Sequence, residues 1–96
     1  MKLTIAGFEW DKGNVSKCKK HGLSTQEIEA FLLQEGNQIV ADFKHSSRHE
    51  QRFIAAGKVG SRWVFVGFTL RSREDGILIR PISARYMREK EANRYG

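Results

Sequence analysis

The chain is poor in the residues that staple, punctuate or anchor a polypeptide: it has one cysteine, one proline and no apolar run of membrane length in 96 residues. With Cys18 alone, an intrachain disulfide is excluded and nothing points to an oxidising compartment. Residues 1–6 are followed too soon by Glu9 and Asp11 to read as a signal peptide, so the expected location is the cytoplasm, without membrane attachment. Cys18 and His21 stand three apart with no second pair at ligand spacing, so neither a metal nor another cofactor is expected. His45 and His49 fall in a polar stretch and read as solvated loop histidines. The chain also lacks a phosphate-cradling glycine loop and a G-x-S-x-G elbow, which removes P-loop nucleotide hydrolysis and serine esterase chemistry.

Acidic residues are the scarcer sign of charge. Eleven Asp and Glu face seventeen Lys and Arg, for a formal net charge of +6 and a pI near 9.8. Such a field draws an anionic partner, nucleic acid first and an acidic protein second.

What is present suffices for one domain over residues 1–96, since 40% of the chain is hydrophobic and 10% aromatic. Residues 3–10 alternate as a strand, with Leu3, Ile5, Phe8 and Trp10 available to a buried face. Asp11 is a candidate N-cap for a short helix carrying Val15 and Cys18 and closed by Gly22. Ser24-Thr25-Gln26-Glu27 matches a capping box, Leu23 can staple onto Ile28, and Phe31 and Leu32 complete an apolar face before Gly36. After Gly36 the period becomes two: strands are expected at 38–43, 52–57, 63–69 and 77–82, with turns near Gly60 and at Asp75-Gly76. The strand at 63–69 is apolar on both faces, as a central strand covered by helices would be. Trp10 and Trp63 read as core residues rather than base-stacking platforms. Pro81 implies an edge position or a bulge, and residues 84–95 read as a charged surface helix anchored by Tyr86, Met87 and Tyr95. The expected fold is α+β, a twisted antiparallel sheet in the order β-α-α-β-β-β-β-α with helices packed on it.

Chemistry concentrates in Arg80-Pro81-Ile82-Ser83-Ala84-Arg85, where two guanidiniums and a hydroxyl stand at the end of an apolar strand. These groups can hold a phosphodiester and neutralise the charge that grows as it is cleaved. Ser83 reads equally as a helix N-cap, a position that also attracts anions. Lys19, Lys20 and His21 read either as helix-dipole partners or as site residues. Arg52, Arg71 and Arg73 sit where ends of antiparallel strands gather, so they too are candidates. A cluster of this composition cuts RNA without a metal if the RNA supplies its own 2′-hydroxyl as nucleophile.

Four segments occur in a familiar order: Phe8-Glu9-Trp10-Asp11, Asn14 through Lys20-His21-Gly22, Asp42 to His45-Ser46 with Glu50 and Arg52-Phe53, and Ile79 through Arg85. In them the chain resembles the BrnT toxins of bacterial type II toxin–antitoxin modules over nearly its whole length. The resemblance implies a RelE-like fold and a ribonuclease that inhibits translation. It also implies a cognate BrnA-type antitoxin that sequesters the toxin and carries the DNA-binding region through which the complex represses its operon. By motif it points to Arg80, Ser83, Arg85, Arg52 and His21, with the arginines on the phosphate, Ser83 orienting it and His21 moving a proton. Either Arg71 or Arg73 corresponds to a further arginine of the family, and Pro81 replaces its usual aliphatic residue. The alternative is a catalytically inactive module that binds nucleic acid or the antitoxin. A DNA-binding regulator is disfavoured because no recognition helix follows the first two helices.

Overall fold

Local capping sets the first two helices. The structure, a computed structural model, describes residues 5–95, so Leu3 of the expected first strand lies outside the described residues. Helix α1 (Lys12–Lys19) starts where Asp11 Oδ1 accepts the backbone N–H groups of Gly13 and Asn14. Helix α2 (Thr25–Leu33) starts on the reciprocal capping box, Ser24 Oγ accepting from Glu27 N and Glu27 Oε1 from Ser24 N, both at 3.0 Å. Gly22 and Gly36 then leave the helical path at φ 94° and 91°, a conformation that costs a side chain but not glycine. Both helices face inward with Cys18, Ile28 and Phe31, joined by Leu23, all at most 1% exposed. Truncating Phe31 to alanine would open a cavity costing about 3–5 kcal/mol.

Five strands form the sheet: β1 (Ile5–Phe8), β2 (Gln38–Ala41), β3 (Arg52–Val59), β4 (Arg62–Arg73) and β5 (Gly76–Tyr86), in spatial order β1-β5-β4-β3-β2. From β2 to β5, neighbours in sequence pair antiparallel, as their turns dictate. The expectation of a wholly antiparallel sheet is corrected at β1, which pairs parallel with β5 through Ile5↔Ile77 and Phe8↔Ile79. A strand followed by two helices has no hairpin neighbour, so its partner is set by where those helices return the chain.

Strand β4 is central, as its two apolar faces suggest. Val64, Val66 and Phe68 point into the core with Ala55, Ile79 and Ala84, against Cys18, Ile28 and Phe31 of the helices. Trp63, Phe65, Gly67, Thr69 and Arg71 alternate onto the opposite face. Among the described residues no long helix covers that face; Tyr95 lies over it, 5.6 Å from the Trp63 ring and 6.0 Å from that of Phe65. Trp10 packs beside the core and donates Nε1–H to Glu29 Oε2 at 2.7 Å.

The expected helix over 84–95 is also corrected. Strand β5 continues to Tyr86, and helix α3 spans only Glu89–Ala92. The ladder with β4 (Val66↔Ala84, Phe65↔Arg85, Val64↔Tyr86) buries Ala84 to 2% exposure, and this tertiary pairing outweighs the helical preference of a charged segment. Ser83 is therefore a mid-strand residue, not a helix cap.

Pro81 lies in an interior strand, not at an edge, and the register shows how a proline is tolerated there. Gly67 pairs with Ser83 and Phe68 with Pro81, so Ile82 has no partner on β4 and the strand carries a bulge. On the other side, β1 has already ended. The Pro81 carbonyl is satisfied instead by Asn14 Nδ2, which donates at 2.9 Å from the first turn of α1.

Candidate active site

The bulge decides which side chains share a face. Arg80 and Ser83 are three apart, and in an unbroken strand they would point to opposite faces. Here Arg80 pairs with Thr69, Ser83 with Gly67 and Arg85 with Phe65, three residues of β4 that alternate onto one face. Across β3, Arg52 pairs with Thr69 and Ile54 with Gly67, which adds Arg52 to the same surface. A Cβ built on Gly67 would lie 2.9 Å from Ser83 Oγ, so the space beside that hydroxyl exists because residue 67 has no side chain.

This surface floors an open groove of about 640 Å³. Ser83, Arg85 and Phe65 line its floor, Lys17, Lys20 and His21 come from α1 and the turn after it, and Asp42, His45 and Arg52 come from the chain leading into β3. An adjoining hollow of about 280 Å³ is lined by Lys17, Arg52, Arg71 and Arg80 among others, with Arg52 and Lys17 common to both. Of the five residues singled out in the sequence, Arg52, His21, Ser83 and Arg85 thus meet in the groove, and Arg80 stands next door beside Arg52. Of the two ambiguous arginines, Arg71 lines the hollow. Arg73 is half exposed at the turn, where it pairs with Glu9 and donates to Ser72 O at 3.3 Å.

Arg52, Arg71, Arg80 and Arg85 are each held by a carboxylate that the sequence does not mark as part of the site. Arg80 Nη1 lies 2.9 Å from Asp11 Oδ2 and 3.4 Å from Glu9 Oε1. Glu50 bridges Arg52 Nε and Arg71 Nη2, each at 3.0 Å. Arg85 grips Glu91 with both terminal nitrogens, at 2.8 and 2.9 Å. The Arg80 hydrogen bond is the main cause holding the Asp11 carboxyl below its usual range, and Arg85 brings that of Glu91 down to about 2. Arg85 also lies over the Phe65 ring, 4.9 Å from its centroid. These contacts fix the directions of the guanidiniums before any ligand arrives. One donor stays unfilled: Arg71 Nε is buried without a hydrogen bond, Glu9 Oε1 being 3.8 Å away.

The groove holds two residues whose weight the sequence did not reveal. His45, expected as a solvated loop side chain, places Nδ1 2.8 Å from Asp42 Oδ2 on the groove wall. The signal lay in the three-residue spacing of Asp42 and His45, which a turn brings into contact. Among the described residues, no three His, Cys, Asp or Glu side chains gather as a metal ion would require. No helix among them is long and apolar enough to cross a membrane.

Arginines, a hydroxyl and histidines share one open groove of a small α+β protein, a set of groups able to hold a phosphate ester. Comparison with known families narrows the class: the family of ribonuclease toxins, BrnT, of type II toxin–antitoxin systems matches residues 10–91, nearly the whole chain, and the chain belongs to it. The family carries with it ribonuclease activity, an RNA substrate and an antitoxin protein as partner. A comparison with curated proteins gives no match.

Proposed function

We propose that this chain cuts RNA without a metal, by attack of the RNA's own 2′-hydroxyl on the scissile phosphate, and that the groove is where it does so. The observation that carries this reading is the bulge at residues 81–82, which turns Arg80, Ser83 and Arg85 onto the face of Arg52. In the proposed arrangement Arg52, Arg80 and Arg85 bind the phosphate and stabilise its extra negative charge, and Ser83 orients it. His21, in the turn after α1, lines the same groove and is one candidate for proton transfer. The carboxylates now on the arginines are exchanged for phosphate oxygens when RNA binds, and the unfilled Arg71 Nε–H adds a donor beside them.

We infer that the fold is of the RelE-like class and that the chain acts in the cytoplasm to inhibit translation. We infer that a BrnA-type antitoxin neutralises the chain by laying acidic side chains over this groove, and that the complex represses its operon through the antitoxin's DNA-binding region.

Purified protein should cleave RNA in the presence of EDTA, and loss of cleavage on chelation would overturn the metal-free mechanism. Induced expression should arrest growth, and Arg80→Ala or Ser83→Ala should relieve the arrest. Arrest that survives both changes would mean that the chain acts by binding alone.

A further inference from the structure

Proton transfer requires a group whose tautomer is fixed and whose reactive atom faces the substrate, and the two histidines of the groove differ in this respect. His21 is exposed in the turn after α1 and makes no side-chain hydrogen bond to another described residue. His45 does: its Nδ1 is 2.8 Å from Asp42 Oδ2, and an ionised carboxylate only accepts. In the neutral ring this contact places the proton on Nδ1 and the lone pair on Nε2.

The pair is also mounted rigidly for a loop. Asp42 is only 16% exposed at its side chain, whereas that of His45 is 59% exposed. Asp42 N donates to Arg52 O at 2.8 Å, and its carbonyl accepts from Ser46 Oγ at 2.7 Å. Ser46 Oγ in turn accepts from Arg52 N at 2.9 Å. The turn that presents His45 is thus tied to the first residue of β3, itself an arginine of the site. A half-buried carboxylate and an exposed imidazole in contact, lining one groove with Arg52 and Arg85, form an orienting group and a base.

We propose that His45 is the general base of the cleavage and that Asp42 is its positioning residue. This rests on the ribonuclease reading above. His45 Nε2 takes the proton of the 2′-hydroxyl as the 2′-oxygen–phosphorus bond forms. The phosphorus–5′-oxygen bond breaks, its electron pair leaving on the 5′-oxygen, which takes a proton from water. The imidazolium, stabilised by Asp42 while it exists, returns its proton to solvent. The products are a 2′,3′-cyclic phosphate and a 5′-hydroxyl.

The test uses the full chain and a labelled messenger RNA in a reconstituted translation mixture, so that cleavage on or off the ribosome is scored. His45→Ala should lower kcat by about 10²-fold with KM little changed, and added imidazole should restore part of the rate. Asp42→Asn should lower kcat with KM unchanged. It should not respond to imidazole, because the ring is still present. His45 is mostly exposed, so its truncation leaves the fold intact, and circular dichroism of each variant confirms this. His45→Ala cleaving within about threefold of the parent chain overturns the assignment but leaves the ribonuclease reading standing. So does imidazole rescue at His21→Ala with His45→Ala unaffected. No cleavage by the parent chain removes both readings together.

Discussion

Asn14 is 4% exposed and makes three hydrogen bonds that no other side chain could replace. Its Nδ2 donates to Glu9 O and to Pro81 O, both at 2.9 Å, and its Oδ1 accepts from Asp11 N at 2.7 Å. It thereby joins the end of β1, the start of α1 and the bulge of β5. Asn14→Ala leaves these backbone groups unpaired in or near the interior, at a net cost of about 1 kcal/mol each and about 3 kcal/mol together. That is a large share of the roughly 5–15 kcal/mol expected for a domain. For this chain length it corresponds to a fall in Tm of roughly 10–20 °C. Urea denaturation should show a lower midpoint with the slope unchanged, since the same surface is exposed on unfolding. Asn14→Asp should be no milder, because it turns an oxygen towards two carbonyl oxygens. A loss under about 1 kcal/mol for Asn14→Ala would refute the reasoning and show that α1 is not pinned to the bulge by this side chain.

Three further outcomes are expected. Glu91, brought from the ordinary 4.5 to about 2 by Arg85, contributes stability that is full above 4.5 and lost as pH falls through 2; Tyr95 and Trp63 fluorescence should report this loosening, and Glu91→Gln should abolish its pH dependence. The Cys18 thiol, fully buried and pushed up to about 11 mainly by desolvation, should resist an aromatic disulfide reagent at pH 8 until the chain is unfolded, and prompt labelling of native protein would contradict its place in the core. Gly67→Ala puts a methyl against Ser83 Oγ, so RNA cleavage should fall by about 10²-fold while thermal stability changes little; equal losses of both would show that the glycine serves only the fold.

The parts of the fold that were legible in the sequence are those specified by neighbours in the chain. Asp11 and Ser24 cap the helices that their spacing announces, and the run from β2 to β5 follows from turns at Gly60 and Gly76. What could not be read depends on contacts between distant residues. Nothing near residues 5–8 indicates that they lie parallel to 77–79, and nothing near 84–86 outweighs their helical character except the β4 ladder. The site divides in the same way. Arginines and the serine are visible by type, but their carboxylate partners Glu9, Glu50 and Glu91 are distant from them or look like ordinary surface acids. His45 was set aside because a polar loop hides the difference between a solvated histidine and one held by Asp42.

The bulge at Pro81 and Ile82 also determines what kind of sequence change the site can survive. Substitutions along β5 alter one side chain at a time, and the arginine positions keep their bearings. Deleting Ile82, the residue without a partner, would leave Arg80 and Ser83 two apart and still on one face, opposite Thr69 and Gly67. Deleting Ala84 instead would set Ser83 directly beside Arg85 and rotate one of them by half a period, turning a site side chain towards the core without removing any charged group or hydroxyl. The functional surface is therefore encoded as much in the counting of residues as in their identities, and a variant shortened beside the bulge, with every arginine and the serine kept, would be the more thoroughly disarmed.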